Sequence, residues 1–94
     1  MFSQIPVDLY KIKKDELDNV ILRAAIMGEM DAINLYEQMA ALTDNEDIRK
    51  VMLDIANEEK AHVGEFQTLL LRLDQGQVQG LEQGKKEVEE LTGK

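Results

Sequence analysis

A short polar turn between two long runs of helix-forming residues constrains this fold more than any other feature. The runs cover residues 15–42 and about 46–73, and both are rich in Ala, Leu, Ile, Met and Glu. The sequence TDNE lies between them, and Thr43 followed by Glu46 fits a capping box that starts a second helix. Two helices of about 28 residues, each roughly 40 Å long and joined by so short a turn, are expected to lie antiparallel.

The segments that flank this hairpin are less regular. Residues 1–14 contain the only proline, Pro6, and show no sustained period, which predicts an extended lead-in. Residues 74–94 form a polar stretch that is interrupted by glycines at positions 76, 80 and 84, which predicts a linker followed by a short helix over about 85–92. The predicted fold is therefore all-α, with an antiparallel hairpin over residues 15–73 and a short C-terminal helix.

Charge and composition exclude several classes of function. The net charge of −8 argues against nucleic acid or an anionic membrane surface as a partner, since both would repel the chain. The absence of cysteine excludes disulfide scaffolds and zinc–thiolate sites. The N-terminus has no apolar signal-peptide core, and no uncharged apolar run approaches membrane-spanning length, so we expect a cytoplasmic protein.

A row of apolar residues along the second helix is broken at two neighbouring positions. Counted at heptad a/d spacing, the row contains Ile48, Met52, Ile55, Glu59, His62, Phe66, Leu69 and Leu73. The neighbours Glu58 and Lys60 fall off the row, as expected for a solvated face. Glu59 and the only histidine, His62, therefore point where adjacent turns place core residues.

The first helix has a matching interruption. Its row contains Leu22, Ile26, Glu29, Ile33, Tyr36 and Ala40. Glu29 and Glu59 are each about fifteen residues from the bend, so an antiparallel hairpin brings them to the same level. Glu29, Glu59 and His62 are thus predicted to converge in an otherwise apolar interior.

The charge of these buried carboxylates is most readily compensated by a metal ion. An unpaired buried carboxylate costs several kcal/mol, and no Lys or Arg falls on either row. Carboxylate oxygen and imidazole nitrogen suit iron, manganese or zinc. The alternative at this point is that a Glu-x-x-His pattern arises by chance on a helix, and that Tyr36 is an ordinary core tyrosine whose hydroxyl reaches a partner.

The donor set is half of a known arrangement. Di-iron carboxylate bundles use one Glu from each of two helices and a Glu-x-x-His from each of the other two. This chain supplies one Glu, at Glu29, and one Glu-x-x-His, at Glu59 and His62. We therefore predict a homodimer in which two hairpins form a four-helix bundle around a shared two-metal centre. The first helix also has a second apolar row, which predicts packing against further helices. The row contains Ile21, Ala25, Ala32, Leu35, Met39 and Leu42.

The segments GEMDAINLYEQMA and IRKVMLDIANEEKAHVGEF resemble the encapsulated ferritins, the two-helix branch of the ferritin-like superfamily. The likeness covers residues 15–92 and is greatest to the ferritin-like domain fused ahead of the shell domain in archaeal encapsulin-type proteins. Its specific part is Glu29, Tyr36, Glu59 and His62 at matching spacing.

The resemblance implies a ferroxidase that oxidises Fe(II) with dioxygen at a di-iron centre. Glu29, Glu59 and His62 would be the ligands, Glu59 would bridge the two metals, and Tyr36 would lie beside them. Calcium, zinc or manganese are further candidates for the same or outer sites. Some relatives place acidic residues near the first ligand as an outer cation site. Asp31 is the candidate here, although a glycine stands at position 28.

The resemblance also implies an assembly. Relatives form annular decamers, with five dimers in a ring, that work in the lumen of an encapsulin nanocompartment, so an encapsulin shell is the expected partner and that lumen the expected location. Two other functions stay open. One is a rubrerythrin-like di-metal peroxidase, and the other is a non-catalytic helical oligomerisation module with structural Zn²⁺ or Ca²⁺ at the same residues.

Overall fold

The structure is a computed structural model that describes residues 9–11 and 13–94, and the fold is all-α, as predicted. Two short 3₁₀ turns, Leu9–Lys11 and Lys14–Glu16, precede three α-helices. The helices are α1 (Leu17–Leu42), α2 (Glu46–Leu73) and α3 (Gln75–Thr92). Residues 1–8 and 12 of the predicted extended lead-in lie outside the described residues, and Leu9–Lys11 form a 3₁₀ turn instead of an extended segment. Within the described part, no helix is both long and apolar enough to cross a membrane.

The helices α1 and α2 form the predicted antiparallel hairpin and hold its core. The buried side chains of the core are Leu22, Ala32, Ile33 and Ala40 on α1, and Ala56 and Leu70 on α2. Ala32 and Ala56 are each only 1% exposed. Small side chains at such positions let the two helix backbones approach closely, which brings the residues that face the interior within reach of one another.

The turn between α1 and α2 differs from the capping box that the sequence suggests. Asn45, not Thr43, is the N-cap of α2: its side-chain oxygen accepts hydrogen bonds from the backbone N–H groups of Asp47, at 2.9 Å, and Ile48, at 3.1 Å. The Thr43 hydroxyl oxygen instead accepts from the backbone N–H of Asn45, at 3.1 Å. The prediction was wrong because Thr43 lies two residues before the N-cap, where its side chain stabilises the turn.

Arg49 closes the hairpin from the α2 side. Its Nε donates to the carbonyl oxygen of Ala40 at 3.0 Å, and its guanidinium also contacts the Thr43 carbonyl and the Glu46 carboxylate. Carbonyl groups in the last turn of a helix have no partner within that helix. Arg49 supplies donors to the end of α1, so the turn is held by a side chain as well as by its own backbone.

A single residue, Asp74, joins α2 to α3. Its backbone N–H donates to the carbonyl oxygen of Leu70 at 2.9 Å, and its side-chain oxygen accepts from the backbone N–H of Gln77 at 3.1 Å, which caps α3. The second carboxylate oxygen accepts from Arg23 of α1 at 2.8 Å. The Gln77 N–H, and then the Arg23 guanidinium, lower the pKa of Asp74 from its ordinary value of 3.8. One carboxylate therefore ties three helices together.

The C-terminal segment is more helical than predicted. The expected linker over residues 74–84 is absent, since α3 begins at Gln75 and contains Gly76, Gly80 and Gly84. Helix propensity is a weak prior, and the Asp74 cap overcomes it at the start of α3. The helix ends at Gly93, whose φ of 74° is the left-handed conformation that favours glycine. The division of the chain at residues 14 and 73 stays a prediction.

Candidate metal centre

The three residues predicted to converge do lie together, near the middle of the hairpin. Glu29 comes from α1, and Glu59 and His62 come from adjacent turns of α2. They form the one group of potential metal-ligating side chains found in residues 9–11 and 13–94, with one donor atom from each lying within 4.8 Å of the others. The apolar rows explain why these three residues share the inner face of the hairpin, and the short turn explains why they lie at the same height along it.

The imidazole lies between the two carboxylates. His62 Nδ1 is 3.4 Å from Glu29 Oε2 and 3.4 Å from Glu59 Oε2. These separations are longer than good hydrogen bonds, so the three potential ligand atoms face a common point and do not form strong hydrogen bonds with one another. Two carboxylate oxygens and one imidazole nitrogen are a donor set typical of iron, manganese or zinc sites.

Burial makes the carboxylates costly without a cation. The Glu29 and Glu59 side chains are 14% and 19% exposed, whereas His62 is 45% exposed. The Glu29 Oε2 atom is fully buried and accepts no hydrogen bond from the described residues. A buried acceptor without a partner costs about 1–3 kcal/mol, and more when it carries charge. The donor set therefore fits a divalent cation that would bind to this oxygen.

The basic side chain that follows Glu59 along α2 pairs with a carboxylate outside the ligand group. Lys60 Nζ lies 3.1 Å from a carboxylate oxygen of Glu37, which forms an ion pair between α2 and α1 beside the centre. Glu37 follows Tyr36, and Lys60 follows Glu59. Opposite charges on the facing helices of a hairpin are a signal that the sequence analysis did not use. Glu37 lies two turns from Glu29 toward the turn of the hairpin, so this ion pair links α2 to α1 on that side of the centre, and Lys60 is not part of the ligand group.

Two other predicted site residues are not part of this group. Tyr36 is half-buried on α1, two turns from Glu29, and its hydroxyl has no hydrogen-bond partner among the described residues. Asp31 is exposed and joins no cluster of ligating side chains in the described part of the chain. Their roles beside the metals and in an outer cation site stay predictions.

Comparisons with known proteins identify the family of this fold. The sequence model of the Rubrerythrin family matches residues 20–92, which include all three converging residues. A crystal structure of the encapsulated ferritin domain from Pyrococcus furiosus superposes with a TM-score of 0.84 at 54% identity. That match covers 98% of this chain and 92% of the other.

Longer relatives share this part of their sequence. The ferritin-like-encapsulin shell fusion protein of Pyrococcus furiosus is 61% identical over 80 residues, which are 85% of this chain and 23% of that protein. Encapsulin nanocompartment cargo protein EncC of Myxococcus xanthus is 42% identical over 53 residues, which are 56% of this chain and 41% of that protein. The chain thus spans less than half the length of either protein. The resemblance to the encapsulated ferritins is confirmed, and the chain belongs to the ferritin-like Rubrerythrin family.

Proposed function

We propose that this chain is a ferroxidase, which oxidises Fe(II) to Fe(III) with dioxygen at a two-iron centre shared between two copies. The observation that carries the proposal is the group of Glu29, Glu59 and His62, in which the buried Glu29 Oε2 accepts no hydrogen bond from the described residues. A cation bound there would offset the free-energy cost of burying that oxygen without a partner. The group is therefore suited to a cation taken up from solution.

Sharing between two copies is supported by the incompleteness of the group. One chain offers three side chains, and His62 is nearly half exposed on the open side of the hairpin. A second copy would bring the same three residues and cover that side. The result would have one Glu from each of two helices and a Glu-x-x-His from each of the other two, as in di-iron carboxylate bundles.

The chemistry is a two-electron oxidation with iron as the substrate. Two Fe(II) ions lose one electron each, and one dioxygen accepts both electrons and two protons and leaves as hydrogen peroxide. The negative charge of Glu29 and Glu59 stabilises Fe(III) more than Fe(II), which favours the oxidation. His62 binds metal only as the neutral imidazole, so binding of iron releases any proton that the ring carries.

Storage of the oxidised iron in an encapsulin compartment is the second part of the proposal. Two of the relatives are an encapsulin shell fusion protein and an encapsulin cargo protein. Decameric rings of five dimers inside such a shell would place many centres in one enclosed volume, where Fe(III) would collect as a mineral.

The central test replaces the ligands one at a time. Glu59→Ala and His62→Ala are each expected to reduce aerobic Fe(II) oxidation to the rate in buffer, with helical circular dichroism retained. Glu58→Ala is the matched control, because Glu58 is an exposed neighbour on the same helix. Oxidation at the wild-type rate in both ligand variants would contradict the proposal.

Two measurements separate the alternatives. The match to the Rubrerythrin family makes a di-metal peroxidase the second candidate, so Fe(II) oxidation is compared with dioxygen and with hydrogen peroxide as the only oxidant. We expect dioxygen to suffice. Metal analysis then distinguishes a ferroxidase from a structural Zn²⁺ or Ca²⁺ module. We expect two irons per two chains and an assembly size that is a multiple of the dimer.

A further inference from the structure

A cleft of about 320 Å³ lies between α3 and the hairpin. Its apolar walls are Ile26 and Met27 of α1, Leu70 of α2 and Leu81 of α3. Among the described residues, the α3 backbone approaches only that of α2. The link between α1 and α3 therefore depends on side chains that face this cleft and on the ion pair at the Asp74 joint.

Met27 is the chemically reactive wall of the cleft. Its side chain is 50% exposed, whereas Leu70 opposite it in the hairpin is 4% exposed. The other apolar walls are hydrocarbon side chains, but the thioether sulfur of methionine is oxidised by peroxides to a sulfoxide. Met27 therefore combines reactivity, access from solvent and a position where α3 meets the hairpin.

Hydrogen peroxide is an oxidant with a source close to Met27. The proposed iron oxidation releases it at the group that contains Glu29, two residues further along α1, and for this source the inference rests on the proposed function. In the reaction, the peroxide O–O bond breaks and one oxygen bonds to the Met27 sulfur, which is oxidised by two electrons. The other oxygen takes up the released proton and leaves as water.

The sulfoxide has different contacts from the thioether. It converts an apolar side chain into a polar one that must be hydrated or hydrogen-bonded. Water drawn to it would separate Leu81 from the hairpin. Arg23 also lines the cleft, and its guanidinium donates to Asp74 at 2.8 Å. A new acceptor beside Arg23 competes for these donors, so oxidation weakens both links between α1 and α3.

We propose that Met27 is a peroxide-sensitive site, and that its oxidation to the sulfoxide loosens α3 from the hairpin. The metal centre is not part of this change, because none of Glu29, Glu59 and His62 lines the cleft. The chain would therefore respond to accumulated peroxide at α3 while the ligand group keeps its positions.

A second methionine provides a matched comparison. Met30 is also on α1 and is also 50% exposed, but it does not line the cleft. Leucine conserves the volume of methionine and lacks the sulfur. Met30→Leu therefore keeps the reactive group in the cleft, and Met27→Leu keeps one of equal exposure outside it.

The test treats both full-length variants with hydrogen peroxide in the presence of a chelator. Peptide mass spectrometry measures sulfoxide, and hydrogen exchange measures opening of residues 77–92. In Met30→Leu, we expect exchange in this segment to become about fivefold faster after oxidation, because α3 opens more often. In Met27→Leu, we expect no change. Equal acceleration in both variants, or none when Met27 is fully converted, would overturn the proposal.

Reversal distinguishes a switch from damage. Methionine sulfoxide reductases of the two epimer specificities convert the sulfoxide back to the thioether. We expect this treatment to restore the slow exchange of residues 77–92 in Met30→Leu. Exchange that stays fast after Met27 is fully reduced would show that another lesion loosens α3, which contradicts the proposal.

The source of the peroxide is tested separately. During aerobic Fe(II) oxidation, wild type is expected to form sulfoxide at Met27, and Glu59→Ala is expected to form none. Equal sulfoxide in the two chains would refute the metal centre as the source. The experiment with added peroxide contains no iron, so it tests the response of α3 whether or not the chain is a ferroxidase.

Discussion

The hairpin and α3 are both regular helical structure, but they are stabilised differently. In the hairpin, two helices bury a shared row of Leu, Ile and Ala side chains against each other, and Arg49 closes the turn. In α3, one capping residue and a short contact with α2 start a helix whose outer turns face solvent. The hairpin therefore specifies its own conformation, whereas the conformation of α3 depends on Asp74 and on what packs against it.

The difference also bears on where the proposed metal centre lies. The centre needs fixed positions for Glu29, Glu59 and His62, and these residues belong to the two helices that share the buried core. The outer part of α3 carries no member of this group, and Leu91 on it is 86% exposed. Four predictions test this contrast.

The largest effect is expected from removing a core side chain of the hairpin. Leu70→Ala truncates a side chain that is 4% exposed, and it should lower the free energy of unfolding by about 2–5 kcal/mol. Leu91→Ala, at 86% exposure on α3, should change it by less than about 0.5 kcal/mol in dilute protein. Urea titrations of both variants measure the contrast, and similar losses would show that α3 and the hairpin are equally packed.

A smaller effect of opposite sign is expected at the centre. Glu29→Gln removes the charge of a buried carboxylate with an unpartnered oxygen, and should stabilise the metal-free chain by about 1–3 kcal/mol. Thermal unfolding in the presence of a chelator measures the gain. Glu58→Gln, at an exposed position, should leave the transition unchanged. A destabilised metal-free Glu29→Gln chain would mean that the carboxylate is already compensated.

A smaller gain is expected on the exposed side of α2. A Cβ atom at Gly64 would meet no atom within 4 Å, so Gly64→Ala should stabilise the helix by about 0.5–1 kcal/mol. Gly93→Ala should have the opposite sign, because Gly93 has a positive φ. Chemical denaturation of the two variants checks both signs, and a loss at Gly64 would point to a contact with another copy.

The smallest effect is expected at the joint between the two regions. Asn is as good an N-cap as Asp, so Asp74→Asn keeps the cap of α3 and removes the ion pair with Arg23. The pKa of Asp74 is lower in the folded chain, so its ionised form adds stability above about 3.8, and this stability is lost as the pH falls below that value. Unfolding curves of wild type and Asp74→Asn should therefore differ at neutral pH and converge in acid. A constant difference would contradict the ion pair.

Periodicity predicted the hairpin and the convergence of the centre, because both depend on few variables. Helices of similar length with a short turn leave one antiparallel arrangement, and residues at equal distances from the turn meet. Glu29 and Glu59 could be placed at one level for this reason. The contact between His62 Nδ1 and both carboxylates required coordinates, since side-chain torsions decide which nitrogen faces inward.

The elements that were wrongly predicted depend on competition between neighbouring residues for the same capping or helix-breaking role, and hydrophobic periodicity carries no information on that competition. Thr43 and Asn45 are both good capping residues, and the geometry of the turn decided in favour of Asn45. The glycines at positions 76, 80 and 84 predicted a linker, yet Asp74 starts a helix through them. The ion pair between Lys60 and Glu37 was missed because each residue was assessed within its own helix.

The central position of the metal-ligating group has a consequence for local unfolding. Helices open from their ends, and amide hydrogens near the ends exchange with solvent through small openings. Both ends of the hairpin lie many residues from Glu29 and Glu59, so fraying at the Arg49 turn or at the Asp74 joint stops before it reaches them. We therefore expect amide hydrogens around the centre to exchange only when the whole hairpin opens, so the three ligating side chains should keep their positions for as long as the hairpin stays folded.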